Sequence, residues 1–199
     1  MTSTLKKMSR RVALTLAVSA CFSPVTQAAE LLTEGVFKVG MEVTYPPFES
    51  YDSNNNIVGL DPDFAALIAQ HLQAKPQLID TKFTSLILGI GKKYDAVISG
   101  MYVTPERQKQ ADAIPYALSG ASIIALKGGA VQPKTEDELC GVKVGLQAGT
   151  TWVTSLKKHS DEWCLKNGKP AITIQEFPTA PEASQALLSK NIGAQLEIA

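Results

Sequence analysis

Tyr94-Asp95-Ala96-Val97-Ile98-Ser99-Gly100-Met101-Tyr102-Val103-Thr104-Pro105-Glu106-Arg107 decides the fold class. The first six residues read as a short buried strand. Thr104 then stands as a helix N-cap, with Pro105 at the first helical position. A strand that gives way to a capped helix within a few residues is part of an alternating strand–helix pattern, and that pattern runs both ways along the chain.

Upstream, residues 36–40 read as a first strand and 45–59 as a loop rich in Pro, Asn and Asp. Asp61 reads as the cap of a helix with Pro62 at its start, and Phe64, Leu67, Ile68 and Leu72 fall on one face of it. Residues 77–80 read as a strand, and 85–90 as a helix that ends at Gly91. Downstream, 123–126 read as a strand. Thr135 reads as the cap of a short acidic turn, Glu136-Asp137-Glu138-Leu139, suited to a helix dipole. Residues 142–146 read as a strand, and Ala148-Gly149-Thr150-Thr151 leads into a helix through about His159. Residues 172–174 read as a strand, Pro181 opens a last helix, and 195–199 look like a strand cut off at its end. The alternation predicts an α/β fold of two lobes, each with a mostly parallel sheet flanked by helices. The expected organisation is a leader over 1–29, a first lobe over 30–120 and a second, incomplete lobe over 121–199.

The chain has 199 residues, with 19 basic and 19 acidic side chains. Lys6, Lys7, Arg10 and Arg11 fall in the first eleven residues, which hold no acid. Setting those four aside leaves fifteen basic against nineteen acidic, so the body is mildly acidic and offers no electrostatic case for nucleic acid. The basic start, the apolar run from Val12 to Phe22, Pro24 and the small residues up to Ala29 read as a secretory signal peptide. The run is shorter than the roughly 20 residues of a membrane span. Val18-Ser19-Ala20-Cys21 also resembles a lipoprotein box. Cleavage after Ala28 or Ala29 is preferred, because the pattern of small residues continues past Cys21. Export would put Cys140 and Cys164 in an oxidising compartment that permits a disulfide. Two free buried thiols are the other reading. His71 and His159 lie at no zinc-ligand spacing from either cysteine.

Three segments, in order, carry a family resemblance: Gly40-Met41-Glu42-Val43-Thr44-Tyr45-Pro46-Pro47-Phe48, Gly59-Leu60-Asp61-Pro62-Asp63-Phe64, and Ser99 to Arg107. They resemble the family 3 solute-binding proteins, the periplasmic amino-acid receptors of ABC importers. Pro115-Tyr116 and Val144-Gly145-Leu146-Gln147-Ala148-Gly149-Thr150-Thr151 fit the same pattern. The resemblance implies a type II periplasmic-binding-protein fold, truncated at its C-terminus, and a monomer that delivers one amino acid to the importer's membrane subunits. It implies no cofactor and no metal. Arg107 would grip the α-carboxylate, for which a planar guanidinium is suited, together with the helix start at Thr150 and Thr151, and Gly100 would be a further ligand-binding position. Tyr45 and Phe83 would wall the pocket. Glu42 would face the ligand's side chain, which suits a polar or cationic group.

Two departures bear on the site. Tyr102 replaces the family's small hydroxyl residue, so it would shrink the pocket or bind through its backbone. Asp112-Ala113-Ile114-Pro115-Tyr116 lacks the family's Phe and Ser. The late acid that holds the ligand's ammonium should fall near Ala199, where Glu197 stands. Gly89-Ile90-Gly91-Lys92-Lys93 lacks phosphate-loop spacing, and no nucleophile elbow or metalloprotease motif occurs, so no enzyme is expected. The alternatives on the same fold are a cyclohexadienyl dehydratase, which would need a pocket acid or base, and the sensor module of a receptor kinase, which would need a membrane span after the domain.

Overall fold

The computed structural model describes residues 30–199. The expected leader, with its basic start and Cys21, lies outside the described residues. The first sheet centres on β1 (Val36–Met41), with β4 (Lys75–Asp80) and β5 (Ala96–Val97) parallel to it on either side. Phe37, Val39 and Met41 alternate along β1 and enter one core with Ala65, Ala69 and Ile98, as the period of two requires. The loop over 45–59 contains a small antiparallel pair, β2 (Ser50–Tyr51) and β3 (Ile57–Val58). Its turn is held by Asp52 Oδ1, which accepts from the Asn54 and Asn56 N–H groups, both at 2.8 Å.

Helix α1 (Leu60–His71) corrects two expectations. Asp61 does not cap it. Gly59 occupies the N-cap at φ +134°, where a Cβ would run into the Phe48 carbonyl, so only glycine fits. Asp61 is instead fully buried one residue into the helix. The expected apolar face is also shifted. Ala65 and Ala69 lie flat on the sheet, while Leu67 is 63% exposed. Small side chains let the helix approach the sheet closely, and only Ile68 and Leu72 of the expected set pack against that core.

The predicted strand at 94–99 pairs with β1 only at Ala96 and Val97. Tyr94 instead lies fully buried under Gly40 and Gly89, and its hydroxyl donates to the Leu86 carbonyl at 2.5 Å. A 3₁₀ turn at Phe83–Ser85 and the short α2 (Leu86–Gly89) replace the expected single helix. Thr104 caps α3 (Pro105–Gln108) as read, its hydroxyl accepting from the Arg107 N–H at 3.2 Å.

The second sheet has the order β6–β9–β7–β8. It is built from β6 (Ala121–Ile124), β7 (Lys143–Gln147), β8 (Thr173–Phe177) and β9 (Ala194–Ile198). β7 runs parallel to β8 and β9, and β6 is antiparallel to β9. Helix α4 (Thr151–His159) joins β7 to β8, and α5 (Ala180–Leu188) joins β8 to β9. Leu139, Val144, Leu146, Leu156 and Leu196 form the core of this half. Thr135 makes no side-chain cap. Glu138 covers that turn instead, its carboxylate accepting from the Lys134 N–H at 2.7 Å. The helical path does not stop at His159. It continues through a wide turn at Ser160–Cys164, which brings Cys164 to Cys140. The two form a disulfide with their Cα atoms 5.6 Å apart. In both halves the sheets are mostly parallel, as the alternation predicts.

Candidate functional site

In both sheets the parallel strands end on the same cleft. Glu42 follows β1, Ser99 and Gly100 follow β5, Gln147 closes β7, and Glu197 and Ile198 lie at the end of β9. Crevices outside the carboxyl ends of parallel strands are where α/β folds bind ligands. This one is partly open to solvent, and the space between its walls, open solvent included, is about 430 Å³. Glu42, Tyr45, Phe83 and Gly100, with Tyr102 and Arg107, line it from the first half. Thr150 and Thr151 line it from the second. The structure thus brings all eight sequence-predicted positions around one space.

Arg107 is half-buried beside the cleft. Its Nη1 donates to the Tyr102 carbonyl at 2.8 Å, and its Nη2 donates across to the Gly149 carbonyl at 3.0 Å. The guanidinium lies 5.6 Å from the Phe83 ring centroid, a cation–π distance. Burial pulls its pKa down from the ordinary value. The charge persists, because an arginine starts far above neutral pH. Tyr102 resolves the departure noted in its motif. Its carbonyl holds Arg107, its hydroxyl donates to Gly120 O at 3.0 Å, and its ring meets Trp152 edge-on at 5.7 Å.

Facing Arg107 is the start of α4. Thr150 occupies the N-cap position but does not cap: its hydroxyl donates back to Gln147 O at 2.8 Å. No side chain caps this end, and the first N–H groups of a helix have no partner within it. Together with the guanidinium they form the electropositive side of the cleft.

The other side is acidic. Glu42 is 5% exposed, and its Oε1 accepts from the Phe83 N–H at 3.1 Å. Its Oε2 accepts from Gln147 Nε2, a bond that joins the two halves. Burial raises the Glu42 pKa above the ordinary value, while the bonds from Phe83 and Gln147 oppose the shift. Tyr45 donates its hydroxyl to Glu197 Oε2 and accepts from the Ile198 N–H at 3.2 Å. Burial, then the Glu197 carboxylate, push the Tyr45 phenol upward, so it stays protonated. Glu197 is therefore at the cleft, where the late acid was expected. Gly100, at φ +52°, presents its N–H backwards to Asp61 Oδ2 at 2.9 Å rather than into the cleft.

Glu49, Ser99, Gln147, Trp152 and Ile198 also line the cleft and were not picked out from sequence. Gln147 and Ile198 each sit at the carboxyl end of a strand, a position that could have singled them out. Trp152, inside the first turn of α4, carried no such signal.

The chain matches the model for bacterial extracellular solute-binding proteins, family 3, over residues 37–190. It is 42% identical over 137 residues to the ABC transporter arginine-binding protein 1 of Escherichia coli (strain K12), covering 68% of this chain and 53% of that protein. It is 31% identical over 164 residues to the L-cystine-binding protein TcyJ of the same strain, covering 81% of this chain and 58% of that protein. The chain spans about half the length of these curated relatives. Among solved structures, an ancestral arginine-binding protein bound to arginine superposes with a TM-score of 0.74 at 35% identity, covering 82% of this chain and 70% of that one.

Proposed function

The chain belongs to the family 3 bacterial extracellular solute-binding proteins, and from that premise we propose that it captures a cationic or polar amino acid outside the cytoplasm for an ABC importer. The observation that carries this reading is the polarity of the cleft. Arg107 and the uncapped start of α4 lie on one side, and Glu42 and Glu197 lie on the other. A zwitterion with a cationic side chain fits that field in one orientation, with its carboxylate at Arg107 and its positive end toward Glu42. Tyr45 and Phe83 wall the stem between them. Free arginine is the first ligand to test, since relatives at 42% and 35% identity carry arginine in their names.

In this reading the two sheets belong to two lobes, 30–120 and 121–199, that close on the ligand by a hinge motion. The bonds from Gln147 to Glu42, from Tyr45 to Glu197 and from Arg107 to Gly149 join the lobes in the closed state. The leader over 1–29 exports the chain, and the closed receptor docks on the importer's membrane subunits. The reading is binding without turnover, since the named relatives are binding proteins.

Titration calorimetry with arginine, lysine, histidine, glutamine and cystine tests this, after any co-purified ligand is removed. One cationic or polar amino acid should bind at micromolar affinity or tighter. Arg107→Ala should weaken it by roughly 2–5 kcal/mol, about 30-fold or more. A folded protein that binds none of the five, or an Arg107→Ala variant with full affinity, would sink the reading.

A further inference from the structure

From the cleft wall, where Glu49 and Ser99 lie, inward to Asp61 and Tyr116, four polar side chains from separate stretches of the chain meet. Glu49 is 1% exposed and Asp61 is fully buried. One oxygen of each acid is committed. Glu49 Oε1 accepts from the Ser99 hydroxyl at 2.5 Å. Asp61 Oδ2 accepts from the Gly100 N–H at 2.9 Å and from the Tyr116 hydroxyl at 3.1 Å. The second oxygen of each, Glu49 Oε2 and Asp61 Oδ1, is buried with no hydrogen-bond partner. Ser99 and Gly100, neighbours in the chain, each hold one of the two acids, which sets the carboxyl groups side by side. The other titratable groups that face them are the Glu42 carboxyl and the Tyr116 phenol, and neither supplies positive charge. Among the described residues, neither acid forms an ion pair.

Two adjacent buried carboxylates without a cation cannot both ionise. Two orphaned acceptor oxygens are also costly, because each loses its water without replacement. A single proton removes both problems. Ser99 already donates to Oε1, so the vacant position on Glu49 is Oε2. We propose that Glu49 and Asp61 share one proton, as Oε2–H donating to Oδ1, and that the pair thereby pins the Ser99–Gly100 turn against the cleft. Glu49 then acts as a neutral positioning residue. The negative charge offered to a ligand comes from Glu42 and Glu197. This last point rests on the binding reading above, whereas the shared proton does not.

The geometry also fixes a pH dependence. Burial first, and the neighbouring Asp61 charge among the further causes, raise the Glu49 pKa from 4.5 to about 9. In the unfolded chain the same carboxyl ionises in the ordinary range. Between those limits the folded state holds a proton that the unfolded state has lost, so stability falls as pH rises. Glu49→Gln keeps a donor toward Asp61 and an acceptor toward Ser99, yet it cannot titrate.

Denaturant unfolding of the ligand-free wild type, Glu49→Gln and Glu49→Ala, followed across that pH range, is the test. Glu49→Gln should gain stability relative to wild type as pH rises, and parallel profiles would overturn the shared proton. In binding of whichever of the five amino acids wild type takes, Glu49→Ala should lose about tenfold or more, and Glu49→Gln should recover most of that loss. A Glu49→Gln variant as weak as Glu49→Ala would overturn the neutral positioning role. If wild type binds none of the five amino acids, the binding reading fails and the unfolding profiles still decide the proton. If the variants do not fold, carbon NMR of wild type labelled at the glutamate carboxyls decides it. One glutamate still protonated at neutral pH is expected, and a spectrum with all of them ionised would overturn it.

Discussion

Around the first sheet, Glu49, Asp61, Ser99 and Tyr116 fix the cleft side through buried hydrogen bonds. Around the second sheet, the cleft side rests on an apolar core in which Cys164 is covalently tied to Cys140. The first arrangement depends on where a proton sits, and the second on the oxidation state of two sulfurs. The same contrast runs through the cleft walls. The first half contributes charged side chains, Glu42 and Arg107. The second sets one acid, Glu197, and the Gln147 amide beside backbone groups, the Gly149 carbonyl and the start of α4. Two halves of similar α/β build can therefore respond to different conditions while lining one site.

The largest way to break this contrast is chemical. Replacing Cys140 and Cys164 with Ser should lower stability by about 3 kcal/mol, since the bond closes a loop with a separation of 24 residues. Hydrogen exchange should speed up in β7 and β8 and change little in β1 and β4. Equal loosening of both sheets would mean that the halves are not independent. Next comes Gly40→Ala in β1. A Cβ there would lie 2.7 Å from the Tyr94 ring, which is itself fully buried. The resulting overpacking should cost roughly 1–3 kcal/mol by denaturant unfolding and leave reductant sensitivity unaltered. A smaller effect is expected at Thr104→Ala, which removes the hydroxyl that accepts from the Arg107 N–H. It should cost about 1 kcal/mol, and a weaker hold on a carboxylate ligand should accompany it because Arg107 loses its anchor. Thr150→Ala makes the sharper control. Its hydroxyl caps nothing, so no comparable loss of cap energy is expected.

Much of the site was legible because its residues sit in local contexts with a physical meaning. Thr104-Pro105 fixes a helix start, and the start places Arg107. Gly149-Thr150-Thr151 marks the turn into α4. The resemblance to a known family then gave Glu42, Tyr45 and Phe83 their positions. Asp61 was misread for an instructive reason. An acid before Pro62 looks like a cap on local grounds, but Gly59 already fills that place, and burial turns the carboxyl toward Gly100 and Tyr116. The leucines of α1 were misread similarly, since periodicity cannot say that Ala65 and Ala69 give the closer approach.

The sequence by itself determined the alternation of strands and helices, the cap that holds Arg107, the mild acidity of the body and the family. These follow from neighbours a few residues apart, where backbone geometry and hydrophobic period act directly. Only the tertiary structure decided that Cys164 reaches Cys140, that Gln147 bridges to Glu42, and that Glu49 and Asp61 are both buried with one unmatched oxygen apiece. Those pairings join residues distant along the chain, and burial sets their chemistry. Which groups share the low-dielectric interior is a property of the packed fold, and no local pattern encodes it.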